Sequence, residues 1–305
     1  MTLPAARLSP GTHFKGPLLA GNNTGGGLLQ NVPLGQLDIV RSRYKTWLEN
    51  FSKPVASAVP STSLAAAGSG WAYTALNTPT TPLFAVTAEA RCAQIDAGSK
   101  ANSGYQVQNT TGGTTAATTV TNTPGPYTAN DPDWDNQEMI WETRVGFISN
   151  STTWDGMALL GIFVTDTSLL DTSTGLPTIA SGGGFGFHVG ITGTVTALGS
   201  SSAITAAGTA TGLSIATLDT ANVANYFTLG FRVRFGDSST GVGVADYYVN
   251  GKKVVTISSG LPTMSGGSVF SNTLCLVNGA AQLSDLNVDY LYNACTAAGR
   301  TNTSL

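Results

Sequence analysis

The stretch "DYYVNGKKVV", residues 246–255, sets an Asn-Gly pair between two runs of strand-forming residues. A type I′ turn needs positive φ at both central positions, and Asn-Gly adopts that turn more readily than almost any other pair. The stretch therefore predicts a β-hairpin made of two antiparallel strands, Asp246–Val249 and Lys252–Val255.

Pairing across this turn predicts the environment of the hairpin. Tyr247 is expected opposite Val254 on one face, and Tyr248 opposite Val255 on the other. Both faces would then be apolar, so we expect one to meet the core and the other to be covered as well.

Alternation with a period of two continues on both sides of the hairpin, between about residues 70 and 295. In "NYFTLGFRVRF" every second residue from Phe227 to Phe235 is apolar. Similar strands are predicted in "MIWETRVGFI" (139–148), "FGFHVGI" (185–191) and "LNVDYLY" (286–292), with a strand covered on both faces in "MALLGIFV" (157–164). Trp141 is expected inward, Glu142 and Arg144 outward, and Leu286, Val288, Tyr290 and Tyr292 together on one side. The two Thr-rich and Ala-rich stretches, 109–133 and 192–222, are expected to form small hairpins or edge strands.

The composition limits the classes of function. Asp, Glu, Lys and Arg make up 10% of the residues and the net charge is −3, against about 25% charged residues in an ordinary soluble domain. A surface so poor in charge needs another route to solubility, and a large regular assembly that covers much of the surface is one such route. The scattered basic residues argue against nucleic acid as a partner, and no apolar run is long enough to cross a membrane. The three cysteines, Cys92, Cys275 and Cys295, form no C-x-x-C pair and are interpreted as reduced thiols of a protein made in a cytoplasm.

Residues 1–60 differ from the β-rich part, 61–305, and are predicted to form an extended N-terminal arm. The only short stretch there that could be helical is "RSRYKTWLENF" (41–51), which Pro54 would end. The arm is rich in apolar residues without a sustained period, so we expect it to dock on another surface. The predicted contact residues are Phe14, Leu18, Leu19, Leu28, Leu29, Ile39, Tyr44, Trp47 and Phe51.

Taken together, the motifs "IWETRVGF", "MALLGIFV", "GFGFHVG", "YFTLGFRVRF", "ADYYVNGKKVV" and "VDYLYNACTAAGR" resemble the concanavalin A-like (lectin/glucanase, laminin G-like) jelly roll. Their order is similar to the form found in structural proteins of tailed bacteriophages. The resemblance implies an all-β jelly-roll sandwich preceded by the arm.

The resemblance also implies a function in the virion. The favoured expectation is a non-enzymatic capsid decoration or knob-like protein on the phage head, synthesised in the host cytoplasm. Its partners would be the major capsid protein and neighbouring copies of itself. The alternative is a fibre or spike component that binds host-surface glycans, and the third reading is a glucanase-like enzyme that cleaves polysaccharide.

The enzyme reading depends on carboxylates. Glu138 and Glu142 share one face of a strand, but four residues separate them by about 13 Å. A retaining glycosidase pair lies about 5 to 5.5 Å apart. The spacing therefore predicts that the chain is not an enzyme and has no catalytic residues. His188, between Gly186 and Gly190, is interpreted as a structural residue on a face that another backbone segment can approach.

Two further candidate sites lie near "DPDWDNQEMIWE" (131–142). Asp131, Asp133 and Asp135 have the alternate spacing of oxygen ligands in a Ca²⁺ loop, although Asn136 stands where an EF-hand loop has glycine. A solvated acidic loop without any cofactor is the favoured interpretation. Trp134 and Trp154 are the candidate contacts for a glycan.

Overall fold

The computed structural model describes the main β-rich part of the chain. The described residues are 44–49, 71–77, 84–86, 93–109, 138–149, 151, 153–180, 183–205, 208–216, 225–236, 243–262, 270–279, 281 and 284–296. They form strands, turns and loops with no α-helix, and so include no helix that is long and apolar enough to cross a membrane.

Fifteen strands are described. They are β1 (Tyr44–Glu49), β2 (Trp71–Leu76), β3 (Phe84–Val86), β4 (Ala93–Asp96), β5 (Gly104–Asn109), β6 (Glu138–Ser149), β7 (Gly156–Val164), β8 (Gly184–Val189), β9 (Thr194–Ser200), β10 (Thr209–Ser214), β11 (Asn225–Arg234), β12 (Val244–Val249), β13 (Lys252–Ile257), β14 (Phe270–Asn278) and β15 (Ser284–Thr296).

The strands build two antiparallel sheets. The first sheet has the order β13-β12-β11-β6-β15-β4-β3, with β1 also paired to β15, and the second has the order β10-β9-β8-β7-β14-β5-β2. The chain repeatedly crosses between them: β5, β7 and β14 belong to the second sheet, whereas β6, β13 and β15 belong to the first. Consecutive strands that alternate between two facing sheets are typical of a jelly roll. The predicted all-β, concanavalin A-like jelly-roll sandwich is confirmed.

The core lies between the two sheets, where the alternating apolar residues meet. Trp141 on β6 is fully buried and stacks on Phe231 of β11, with ring centroids 5.2 Å apart. Its indole Nε1 donates a hydrogen bond of 3.2 Å to the Asn272 side chain of β14, so one residue joins both sheets. Leu160 of β7 and Phe187 of β8 are direct cross-strand neighbours and are also fully buried. The sequence alternation thus predicts the inward faces correctly.

The predicted hairpin is present, but its register differs from the expectation. Asn250 and Gly251 have φ of 48° and 76°, as the turn requires. Tyr248, however, lies opposite Lys253, and Tyr247 lies opposite Val255, because the register shifts by one residue between these two pairs. The expected pairs with Val254 and Val255 were therefore wrong. The two-residue turn itself pairs Tyr248 with Lys253, so a lysine and not an apolar residue lies beside Tyr248. The bulge at Val254 then moves the partner of Tyr247 to Val255.

A second bulge changes the orientation of residues near the C-terminal end of β15. The register shifts between Val288 and Tyr290, so Val288 points into the core whereas the Tyr290 side chain reaches the outer face. The prediction that "LNVDYLY" places all four alternate residues on one side was wrong. A side-chain period of two breaks wherever one extra residue enters a strand.

The N-terminal region contains one described element, β1. It pairs antiparallel with β15, with Tyr44 opposite Thr296 and Trp47 opposite Asn293. Residues 44–49 of the stretch that could be helical are therefore a strand, because pairing with β15 satisfies the backbone of this segment. The other predicted arm contacts, Phe14, Leu18, Leu19, Leu28, Leu29, Ile39 and Phe51, lie outside the described residues. The arm as a docking element and its boundary at residue 60 remain predictions.

Candidate functional site

The outer face of the second sheet is covered by the chain itself. The loop 165–179 crosses it and is fastened by two glutamines of β5. Gln106 donates to the carbonyl of Asp166 and accepts a hydrogen bond of 2.9 Å from the backbone of Leu169. Gln108 accepts from the backbone of Asp166 at 3.2 Å. These contacts explain why β7 is buried on both faces, as predicted.

His188 lies under the same loop. Its Nε2 donates a 2.7 Å hydrogen bond to the carbonyl of Gly175, and burial lowers the pKa of the imidazole, although this hydrogen bond partly opposes the shift. A side chain at Gly186 would collide with the carbonyl of Leu160 and the ring of Phe163. The glycine-flanked face therefore admits close backbone approach, and His188 holds the loop in place, in agreement with the structural role predicted for it.

The outer face of the first sheet is different, because it concentrates charge. The chain has 14 basic and 17 acidic residues, and at least four of each lie on this one face. They include Arg144, Arg232, Arg234 and Lys253, with Glu138, Glu142, Asp246 and Asp289. In a chain so poor in charge, this clustering marks the face as a candidate functional surface.

Asp246 organises one side of this surface. Its carboxylate accepts hydrogen bonds from Thr256 at 2.7 Å and Lys253 at 3.2 Å, and forms an ion pair with Arg234 at 3.0 Å. Burial alone would raise the pKa of Asp246. The hydrogen bonds from Thr256 and Lys253 and the two positive charges outweigh burial, so its pKa lies below the ordinary value. Asp246 thus stays ionised and holds the two basic side chains, each about half exposed.

The other pairs continue the network across β11, β6 and β15. Arg232 pairs with Glu138 at 2.6 Å. Arg144 forms an ion pair with Asp289 at 2.7 Å. The Cζ atom of its guanidinium also lies 4.2 Å from the centroid of the Tyr226 ring, in a cation–π contact. The basic side chains remain partly exposed, so they keep donors for a ligand.

Glu142 and Tyr290 form the central pair of the surface. The Tyr290 hydroxyl donates a 2.7 Å hydrogen bond to Oε1 of Glu142, which is only 2% exposed. Burial raises the pKa of Tyr290, and the adjacent charge of Glu142 raises it further. Tyr290 therefore remains a neutral donor at physiological pH. A carboxylate and a phenol in contact are groups that can exchange a proton with a ligand hydroxyl.

A position without a side chain lies next to this pair. In the register of the sheet, Gly230 of β11 stands between Glu142 of β6 and Tyr248 of β12. Glu142 and Tyr248 are two strand spacings apart, which is a distance of about 10 Å. Gly230 adds no side chain between Glu142 and Tyr248, and it is itself buried, whereas Tyr248 is partly exposed. The Tyr248 pKa is raised by burial and then by Asp246, so this hydroxyl is also neutral.

Glu142 and Arg144 were predicted to face outward, and Glu138 to share the face of Glu142, but their partners were not predicted. Tyr290 was assigned to the same side as Leu286 and Val288, and Tyr248 and Lys253 were not assigned to a site. The bulge after Val288 causes the error at Tyr290, whereas Lys253 lies opposite Tyr248 because of the two-residue turn. No local signal in "VDYLY" marks the extra residue, because the bulge is fixed by pairing with β6, which lies about 148 residues earlier.

The sequence-predicted glycan and metal residues lie elsewhere. Trp154 is 4% exposed and packs edge-on against Phe147, with ring centroids 5.3 Å apart. It is a core residue with no free face for a sugar, so that prediction is corrected. Trp134 and the candidate Ca²⁺ ligands Asp131, Asp133 and Asp135 lie outside the described residues and stay predictions.

In the part of the chain that the structure describes, no group of three or more His, Cys, Asp or Glu side chains converges to hold a metal ion. Cys275 is a free, fully buried thiol on the covered side of the second sheet, and burial raises its pKa well above the ordinary value. A thiol in that environment is unreactive.

No protein-family model and no curated protein matches the sequence. Solved structures with a similar arrangement include the alginate lyase Aly36B, at 12% identity over 81% of this chain and 96% of that chain, with a TM-score of 0.45. An endo-1,3-beta-glucanase from Streptomyces sioyaensis matches at 11% identity over 84% of this chain and 98% of that chain, with a TM-score of 0.44. The carbohydrate recognition domain of Emp46p in its potassium-bound form matches at 10% identity over 81% of this chain and 97% of that chain, with a TM-score of 0.41.

These neighbours correct the expectation that the chain is not an enzyme, because several of them, the alginate lyases and the glucanase, are enzymes. The expectation rested on the distance between Glu138 and Glu142 along one strand. That test concerns only a pair of carboxylates on one strand. It could not detect a pair formed across two strands, such as Glu142 with Tyr290.

Proposed function

We propose that the chain binds or cleaves a carbohydrate on the outer face of its first sheet. The observation that carries the proposal is the Glu142–Tyr290 pair, set within a charged surface that also presents the Tyr248 ring. Sugars offer many hydroxyl groups and apolar ring faces. Ionised side chains form the stronger hydrogen bonds to such hydroxyls, and aromatic rings pack against the apolar faces.

Binding and cleavage use different parts of this surface. Arg232, Arg234, Lys253 and Tyr248 are accessible, so they would make the first contacts with a saccharide. Glu142 is buried beneath Tyr290, so cleavage would require the Tyr290 ring to move and the carboxylate to act as acid or base. A binding function requires no such movement.

The setting proposed for this activity is that of a fibre or spike component that contacts host-surface glycans. Among the virion roles expected from the sequence, this one agrees with a saccharide-binding face. Placement on a phage particle, attachment through residues 1–60 and association with capsid protein or sister subunits are proposals that the comparisons do not support.

The first test is a polysaccharide screen with the full chain. Retention in affinity electrophoresis reports binding, and the release of reducing ends or unsaturated products reports cleavage. We expect at least one polysaccharide to retain the protein, and Tyr248→Ala to weaken retention about tenfold or more through loss of the ring contact.

Leu176→Ala is the matched control, because Leu176 is exposed on the loop over the opposite sheet and should have no effect. Any cleavage should be lost in Glu142→Gln. Retention that is unchanged in Tyr248→Ala would contradict the proposed location.

A further inference from the structure

A compact group of oxygen-bearing side chains lies at the other end of the first sheet. Asp96 of β4 is directly opposite Asp285 of β15, and Gln94 is directly opposite Asn287. Ile95 and Leu286, between them in the two strands, are fully buried in the core. The four polar side chains therefore share the outer face of the sheet.

Two oxygens in this group are buried without any partner. They are Oδ1 of Asp285 and Oδ1 of Asn287, in residues that are only 4% and 1% exposed. The other oxygen of Asp285 accepts a 2.7 Å hydrogen bond from Gln94. Buried acceptors are almost always satisfied, so two unpartnered oxygens two residues apart in one strand indicate a missing ligand that supplies positive charge.

The side chains present restrict the chemistry of such a ligand. The cross-strand neighbour of Asn287 on β6 is Gly146, which adds no side chain of its own. The four side chains that could coordinate a ligand are two carboxylates and two amides, with no imidazole or thiol among them. Carboxylate and amide oxygens suit hard cations, and a flexible, mixed set of oxygens suits Ca²⁺ better than the strict octahedron of Mg²⁺.

We propose that Asp96, Asp285 and Asn287 form a calcium site that joins β4 to β15. Two carboxylates supply the charge, the Asn287 carbonyl oxygen supplies a third ligand, and water completes the coordination sphere. The site is separate from the proposed saccharide surface, and it is distinct from the candidate ligands Asp131, Asp133 and Asp135. Its role is to fasten the edge of the first sheet.

The test measures calcium binding by calorimetry and the thermal midpoint of the full chain after removal of metal with EDTA. We expect Ca²⁺ to bind and to raise Tm by about 5 °C at saturation, with a smaller response to Mg²⁺. Asp285→Asn preserves the shape and the acceptor for Gln94, so it should fold yet lose this response. Asp96→Asn should behave likewise.

Asp289→Asn is the matched control, because Asp289 is a carboxylate of the same strand that is already paired with Arg144. It should retain the full response to Ca²⁺. Absence of any Ca²⁺ binding by the wild-type chain would overturn the proposal. If the rise in Tm with Ca²⁺ persists in Asp285→Asn, the proposal is also overturned. Loss of that rise in Asp133→Asn would then locate the calcium in the acidic loop.

Discussion

Trp141→Ala is expected to destabilise the protein by about 3 to 5 kcal/mol, which is the usual cost of removing a large buried aromatic side chain. The residue is fully buried, stacks on Phe231 and bonds to Asn272 of the opposite sheet. Its loss leaves both a cavity and an unpaired buried amide. Domains have a total stability of about 5 to 15 kcal/mol, so the variant should unfold at far lower urea concentration or fail to fold.

Trp141→Phe keeps the prediction testable if the alanine variant does not fold. Phenylalanine retains stacking on Phe231 but loses the hydrogen bond to Asn272, for an expected cost of about 1 to 3 kcal/mol. Ile191→Ala is the surface control, because Ile191 is 46% exposed, and it should change stability by less than about 0.5 kcal/mol. Urea unfolding gives all three values. A Trp141→Ala variant as stable as the control would show that the two sheets are not joined here.

Asp285 is expected to make stability depend on pH in the absence of divalent cations. Burial, and then the charge of Asp96, raise the Asp285 pKa from 3.8 to about 7. The folded state therefore binds a proton more tightly than the unfolded state does. The bound proton therefore adds to the free energy of unfolding. This stabilisation is complete below about pH 4 and is lost as pH rises through about 7. Each unit of difference between the folded and unfolded pKa corresponds to about 1.4 kcal/mol.

Asp285→Asn removes this dependence because the amide does not titrate. In EDTA the variant should be more stable than the wild type by a few kcal/mol at pH 8, and the difference should disappear near pH 4. Urea midpoints measured from pH 4 to pH 8 provide the check. Parallel curves for the two proteins across this range would show that Asp285 has an ordinary pKa.

The sheets were predictable from sequence because their signals are local. The alternation in "NYFTLGFRVRF" and the Asn-Gly turn at Asn250 and Gly251 depend on neighbouring residues alone. Side-chain period and turn conformation then determine which residues face inward. Phe227 to Phe235 and Trp141 were assigned to the correct face for this reason.

The candidate site was only partly predictable, because a bulge decides part of its composition. The Asn-Gly turn places Lys253 next to Tyr248 by local pairing, but the bulge after Val288 brings Tyr290 to Glu142. This bulge is selected by pairing between strands that are far apart in sequence. Edge pairing likewise determined the state of residues 44–49, where the local sequence was compatible with a helix.

The most direct test of the proposed saccharide surface is to locate a bound oligosaccharide, taken from the polysaccharide that retains the protein, by crystallography of the complex. The account predicts a sugar over Gly230, with its ring against Tyr248 and its hydroxyl groups bonded to Arg232 and Lys253. A sugar bound on the outer face of the second sheet, with the loop 165–179 displaced from His188, would contradict it.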